Sequence, residues 1–352
     1  MLRKIIRPTL RRLLGCSIAL HACFVFAQET PLRLEDCAPI PDDRERLACF
    51  DRLAAGRTAG KEAARVPPQA QTALVPPVEA AQPHGDAEED SSLTRHWELN
   101  KENSQPIFTF RPHRDNYLIA TYNRHPNDTP YRPFRNLTPK AGNLSEAELA
   151  FQLGFKLKLV DDVMDKPLDL WFGYTQQSFW QASNQEASSP FRETNYQPEV
   201  MAVFPVDFKL LGLRARFVNF GFVHQSNGQT STLSRSWNRW YAQAGLERGN
   251  FTLLARIWKR VKESREDDDN PDIMDYMGHG DLVGSYRYNG HIFSLLTRYN
   301  FHTDKGAAQI GWAFPLASNL KGYLQFFSGY GHSLIDYNYS QQSIGMGVLV
   351  AY

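Results

Sequence analysis

The stretch VNFGFVHQSNGQTSTLSRSWNRWYAQAGL, residues 218–246, holds residue types that could do chemistry together. Val218, Phe220 and Phe222 alternate with Asn219, Gly221 and Val223, the two-residue period of a strand with one strongly apolar face. The next positions on that face are His224 and Ser226. Their i, i+2 spacing puts a potential base and a potential nucleophile side by side. In the segment that follows, Trp240, Ala242 and Ala244 share their parity with Asn238. Three polar groups therefore converge on a surface that is otherwise apolar, where isolated polar groups are costly. A Ser–His–Asn set accounts for them. His takes the proton from Ser, Ser attacks an ester carbonyl, and the third group holds the imidazole in the useful tautomer. Asn in place of Asp would orient the ring without adding negative charge. On pattern alone, a His-x-Ser pair at a strand edge is an ordinary solvated rim.

The elements that must position these residues are strands. The chain has 352 residues, 39 basic against 38 acidic, so no single-signed field points to nucleic acid. Hydrophobic residues make up 42% and aromatics 12%, yet no apolar run approaches the roughly 18 residues a membrane helix needs. From near Trp97 onward the period is two. EAELAFQLGFKLKL sets Ala147, Leu149, Phe151, Leu153, Phe155 and Leu157 against Glu146, Glu148, Gln152, Lys156 and Lys158. SIGMGVLVAY alternates Ile344, Met346, Val348, Val350 and Tyr352 against mostly small residues. Twelve strands are predicted, near 115–123, 145–158, 167–178, 195–206, 214–224, 237–248, 251–261, 280–288, 291–300, 306–314, 320–329 and 343–352. Most connections after odd-numbered strands are long. Those after even-numbered strands are shorter, down to Gly249-Asn250 and Asn289-Gly290.

A soluble β-sandwich would also alternate, but it needs neither the long/short asymmetry nor the terminal aromatic. An even strand count, short turns at one end and a polar second face match an all-β, antiparallel transmembrane β-barrel of the Gram-negative outer membrane. Both barrel termini then lie in the periplasm and the long loops face outside. His224, Ser226 and Asn238 sit at the outer-leaflet boundary, facing lipid. Trp171, Trp180, Trp237 and Trp240 are candidates for interfacial girdles.

The N-terminal region is organised differently. Residues 1–27 combine Arg3, Lys4, Arg7, Arg11 and Arg12 with a short apolar core, Leu13 to Phe26, and a small-residue cleavage site at Val25-Phe26-Ala27. That is a secretory signal peptide. A lipoprotein signal at Leu20-His21-Ala22-Cys23 is a poor match because of His21. Cleavage at Ala27 leaves Cys37 and Cys49, an even pair in an exported chain and so a candidate disulfide. Residues 28–54 read as a small helical periplasmic segment stapled by that pair. Residues 55–95 are an Ala/Pro-rich linker, and residues 96–352 form the barrel.

HQSNG followed by SRSWNR resembles the bacterial outer-membrane phospholipase A family, as do SSPFRETNYQP (188–198), DDNPDIMDYMG (268–278) and SGYGHSLIDYNYSQ (328–341). The resemblance spans roughly residues 97–352. It implies a twelve-stranded barrel that hydrolyses acyl esters of phospholipids and lysophospholipids, with Ser226 as nucleophile, His224 as proton acceptor and Asn238 orienting the histidine. It also implies calcium dependence and activation by homodimerisation, with the monomer as the resting form. Ser188 of the partner subunit, the Gln229 backbone carbonyl and Ser234 match the calcium ligands. Asp269 matches one acid of a second calcium position, whose other acid is replaced here by Ser231. Gln176 matches a glutamine of the dimer interface, and its parity with Leu168, Leu170, Phe172 and Tyr174 independently places an amide on the lipid face.

Two other classes compete. A non-enzymatic channel or adhesin barrel would keep full function after Ser226→Ala. An outer-membrane protease would carry its acids and histidine among loops or inside the mouth, facing water, against the lipid-facing parity of His224, Ser226 and Asn238.

Overall fold

The computed structural model describes residue 37, residues 39–42, 44–51 and 91–134, and residues 143–350. The proposed signal peptide, nearly all of the linker and Tyr352 lie outside the described residues. The chain divides into two units, Met1–Ala81 and Gln82–Tyr352. In the first, helix α1 spans residues 44–51 and Cys37 is disulfide-bonded to Cys49.

The second unit is a closed antiparallel barrel. Its first strand, β1, runs in two segments, Arg111–Pro112 and Asn116–Tyr122. It is followed by β2 (Ala147–Val160), β3 (Asp169–Trp180), β4 (Phe191–Leu210), β5 (Leu213–Ser226) and β6 (Ser236–Arg248). Then come β7 (Phe251–Arg260), β8 (Gly280–Tyr288), β9 (His291–Asn300), β10 (Lys305–Pro315), β11 (Leu320–Gly329) and β12 (Gln341–Val350). Each strand pairs with its sequence neighbours, and β12 pairs back with β1, so no edge is left open. All twelve predicted strands are present. Among the described residues no helix is long and apolar enough to cross a membrane; in this chain strands do the crossing.

The period-two pattern decides which face is which. On β5, Phe220 is 57% exposed while Phe217, Asn219, Gly221 and Val223 are turned inward. On β12, Ile344, Met346 and Val350 point outward. One end of the barrel carries the shorter connections, three of which are two-residue turns, at 211–212, 249–250 and 289–290. Asn289 (φ 46°) and Gly290 (φ 78°) give the positive-φ pair that matches strand twist. The other end carries the loops 123–146, 181–190, 227–235, 261–279 and 330–340.

The lumen is filled rather than open. Helix α2 (Ser92–Trp97) is capped by Ser91, whose side chain accepts from the Thr94 N–H at 3.0 Å. It buries Leu93 and Trp97, and the Trp97 ring lies 4.8 Å from Phe217, with the Lys156 ammonium 3.4 Å above it. At the loop end, helix α3 (Ile273–Met277) packs with Trp237 and Trp258. The 330–340 loop folds into the mouth. The Leu334 and Ile335 N–H groups donate to Asn195 and Glu193 of β4, and Arg192 pairs with Asp336 at 2.9 Å. Several charged groups inside are paired: Glu199 receives His113 at 2.8 Å and Tyr241 at 2.6 Å, and Arg192 also meets Glu148 at 2.6 Å, whereas the buried Lys156 Nζ has the Trp97 ring and no hydrogen-bond partner among the described residues. A lumen packed in this way disfavours an open channel.

The proposed tryptophan girdle needs correction. Trp171 and Trp237 are 0% exposed, and both belong to the lumen core. Their strand parity is inward, and the indole area they bury stabilises the interior packing. Trp240 does face outward, at 62% exposure. Trp180 stacks on Phe191 at 5.5 Å.

Candidate active site

The site lies at the loop end of the β5–β6 pair. Strand pairing brings His224 directly opposite Asn238 and Ser226 opposite Ser236, so the side chains share the outward face. His224 Nδ1 lies 2.9 Å from Asn238 Oδ1. That bond occupies Nδ1, so Nε2 is the ring nitrogen left for a proton transfer. Just below, toward the middle of the barrel wall, Phe222 packs edge-on against Trp240 at 4.9 Å. With Phe220 and Val200 they form an apolar surface that leads up to the polar set.

Two contacts extend the set beyond the three residues read from sequence. Asn238 Nδ2 donates to Glu263 Oε1 at 3.0 Å. The β6–β7 pairing continues one step past its regular end, through Val261 N–H to Asn238 C=O at 2.8 Å, and this brings Glu263 alongside. Arg260 then bonds Glu263 at 3.2 Å and Asp268 at 2.6 Å. The second contact organises the loop after Ser226. Asn227 is buried, donates to the Leu233 carbonyl at 2.8 Å, and accepts from the Arg235 N–H at 2.9 Å. Sequence reasoning missed both residues. Asn227 had a local signal, the Asn-Gly dipeptide at 227–228, a strong turn former. Glu263 had none, because its role depends on β7 extending beyond Arg260.

The calcium candidates are brought together in part. Ser234 Oγ lies 2.5 Å from Asp269 Oδ2, across a gap of 35 positions in sequence. Gln229 is in the same 227–235 loop, with its N–H bonded to Asn227 at 3.3 Å. Ser231 adopts φ 55° at the start of the 3-10 turn Ser231–Leu233. Ser188 is on a different loop, in the left-handed region at φ 63°. Among the described residues no group of three or more His, Cys, Asp or Glu forms a metal cluster. The donors present are hydroxyl, carbonyl and carboxylate oxygens, a set that suits a hard cation such as calcium.

Gln176 faces outward as expected, but its amide is satisfied within its own face. Tyr174 Oη donates to its oxygen at 2.9 Å, and its nitrogen donates to Ser178 at 3.2 Å.

In the loop over the mouth, His332 packs on Phe179 and Phe327, with ring centroids at 5.0 and 4.6 Å. Burial pushes its imidazole down to about 4.

A closed barrel with an apolar outer wall and a polar triplet at the level of its long loops has the form of an outer-membrane barrel with a candidate site for ester hydrolysis on its wall. The comparisons with known proteins agree. The family model described as Phospholipase A1 matches residues 93–350, and the chain belongs to that family. The phospholipase A1 of Escherichia coli K12 is 38% identical over 243 residues, covering 69% of this chain and 82% of the relative. A protein of Neisseria meningitidis serogroup B is 40% identical over 344 residues, covering 89% of each. Among solved structures, outer membrane phospholipase A from Escherichia coli superposes with a TM-score of 0.64 at 37% identity, covering 69% of this chain and 98% of that one. The Salmonella typhi outer membrane phospholipase, described as a dimer with bound calcium, gives 0.65 at 36% identity, covering 72% and 94%. The chain is thus a phospholipase of the Gram-negative outer membrane.

Proposed function

We propose that the chain hydrolyses acyl esters of phospholipids and lysophospholipids in the outer leaflet, with Ser226 as nucleophile, His224 as proton acceptor and Asn238 orienting the imidazole. The observation that carries this reading is the 2.9 Å bond from His224 Nδ1 to Asn238 Oδ1 on the outward face, two residues from Ser226. With Nδ1 committed to Asn238, His224 takes the Ser226 proton at Nε2 as the hydroxyl attacks the acyl carbonyl. The ester C–O bond then breaks, and His224 returns the proton to the departing glycerol oxygen. Water then attacks the acyl carbonyl as His224 takes its proton, the acyl–Oγ bond breaks to release the fatty acid, and His224 returns the proton to Ser226 Oγ. The Ser226 backbone N–H is the donor for the oxyanion. Phe220, Phe222 and Trp240 offer the acyl chain an apolar path along the wall, so substrate arrives from the side.

Calcium is the proposed cofactor. Ser234 and the Gln229 carbonyl, with Ser188 of the partner subunit, would hold it. Asp269, bonded to Ser234 at 2.5 Å, is the nearby carboxylate. When bound, the ion supplies positive charge beside the developing oxyanion. A site that draws one ligand from a second copy makes the homodimer the active form, which the calcium-bound dimer of the Salmonella typhi relative supports.

The test is covalent trapping. An alkylsulfonyl fluoride added to the refolded protein in detergent with calcium is expected to label Ser226, read by peptide mass spectrometry, and to leave Ser226→Ala unlabelled. Labelling of another serine with Ser226 intact would overturn the assignment.

A further inference from the structure

The geometry points to Glu263 as a positioning residue that fixes the working orientation of Asn238, and through it the tautomer of His224. The inference rests on the triad reading above.

The argument is one of donors and acceptors. An asparagine amide can flip. With its oxygen toward His224 it accepts from Nδ1–H and leaves Nε2 as a base; with its nitrogen there it would favour the opposite tautomer, protonated at Nε2 and useless for taking the Ser226 proton. Nothing in the His224–Asn238 pair alone selects between these states. An ionised carboxylate has acceptors only. Glu263 Oε1, 3.0 Å from Asn238 Nδ2, therefore selects the amide orientation that presents Oδ1 to His224. Glu263 is itself held: Arg260 Nη2 bonds its other oxygen at 3.2 Å, and Arg260 also ties down Asp268 and the Asn270 carbonyl. Its side chain is 16% exposed, so water competes weakly for the carboxylate. The neutral asparagine triad thus has a carboxylate one amide away from the imidazole.

The experiment compares refolded full-length wild type, Glu263→Ala, Glu263→Gln, Asn238→Ala and the Glu263→Ala/Asn238→Ala double variant on phospholipid–detergent micelles over a calcium titration. Heat-modifiable migration on gels confirms that each barrel is folded. Glu263→Ala is expected to lower kcat about tenfold, the scale of losses from supporting-shell changes, with KM and half-saturating calcium unchanged. Glu263→Gln offers one acceptor to two donors, Asn238 Nδ2 and Arg260 Nη2, and is expected to recover less than half of that loss. In the Asn238→Ala background, removing Glu263 has no further effect. An undiminished kcat for Glu263→Ala overturns the inference. So does a loss that high calcium reverses, or an equal further loss in the Asn238→Ala background. If Asn238→Ala itself keeps the wild-type kcat, the triad reading falls first; if Asn238→Ala is impaired and Glu263→Ala is not, only the role of Glu263 falls.

Discussion

At the loop end of the barrel wall Glu263 bonds Asn238 at 3.0 Å and Asn238 bonds His224 at 2.9 Å, so each side chain's orientation is set by the next. His224, Ser226 and Asn238 stood out because a polar group on an apolar strand face is conspicuous, and strand parity settles the face without tertiary information. Asn227 and Glu263 act through contacts set by where a loop closes and where pairing ends. Their spacing from the triad carries no period. The same holds for His332, which reads as an ordinary loop histidine and is buried between Phe179 and Phe327. Its environment gives a pH prediction. In the folded chain burial lowers the imidazole to about 4, while the unfolded chain protonates it near the ordinary value of about 6.5. The unfolded state therefore binds more protons in this window, and stability falls as pH drops from about 6.5 to about 4, by about 3 kcal/mol. Urea unfolding in detergent at pH 7 and pH 4.5 reads this, and His332→Phe is expected to flatten the slope. An unchanged slope would mean that the loop around His332 hydrates before the barrel unfolds.

At the scale of elements, alternation and turn chemistry carried the strand count. Every predicted strand pairs in the sheet, and two-residue turns fall at Gly249-Asn250 and Asn289-Gly290 as read from sequence, with a third at Leu211-Gly212 where the predicted strands left a longer gap. The exterior was legible because lipid demands a uniform apolar face. The interior was harder, since its partners come from distant strands and from α2, α3 and the 330–340 loop. Trp171 and Trp237 illustrate this: their type suggested an interface, and their inward parity decided the matter. Gly221 shows how tightly the wall and lumen fit. It lies opposite Tyr241, whose ring covers it and whose hydroxyl reaches Glu199 at 2.6 Å. A Cβ at 221 would collide with that ring. Gly221→Val, three residues from His224, is expected to destabilise the barrel by about 1–3 kcal/mol, as overpacking does, and to disturb the Tyr241–Glu199 bond. Chemical denaturation measures this; an unshifted midpoint would show that Tyr241 can rotate away freely.

For the whole molecule, the decisive property is that the site opens sideways. A closed, filled barrel gives substrate no route through the lumen, and His224 and Asn238 face outward. An enzyme placed in this way meets membrane lipid continuously, and under the proposed function a resting monomer would protect the membrane it sits in, with a second subunit completing the calcium set as the control. Analytical ultracentrifugation in detergent is expected to show dimer increasing with calcium and reverting with chelator. A calcium-independent monomer that is fully active would remove the regulatory part of the account. The measurement closest to the central claim is fatty-acid release from mixed phospholipid–detergent micelles by refolded wild type and Ser226→Ala, each with calcium and with chelator. The account predicts release by wild type with calcium alone, and a loss of at least about a thousandfold in Ser226→Ala. Release by folded Ser226→Ala at the wild-type rate would contradict it.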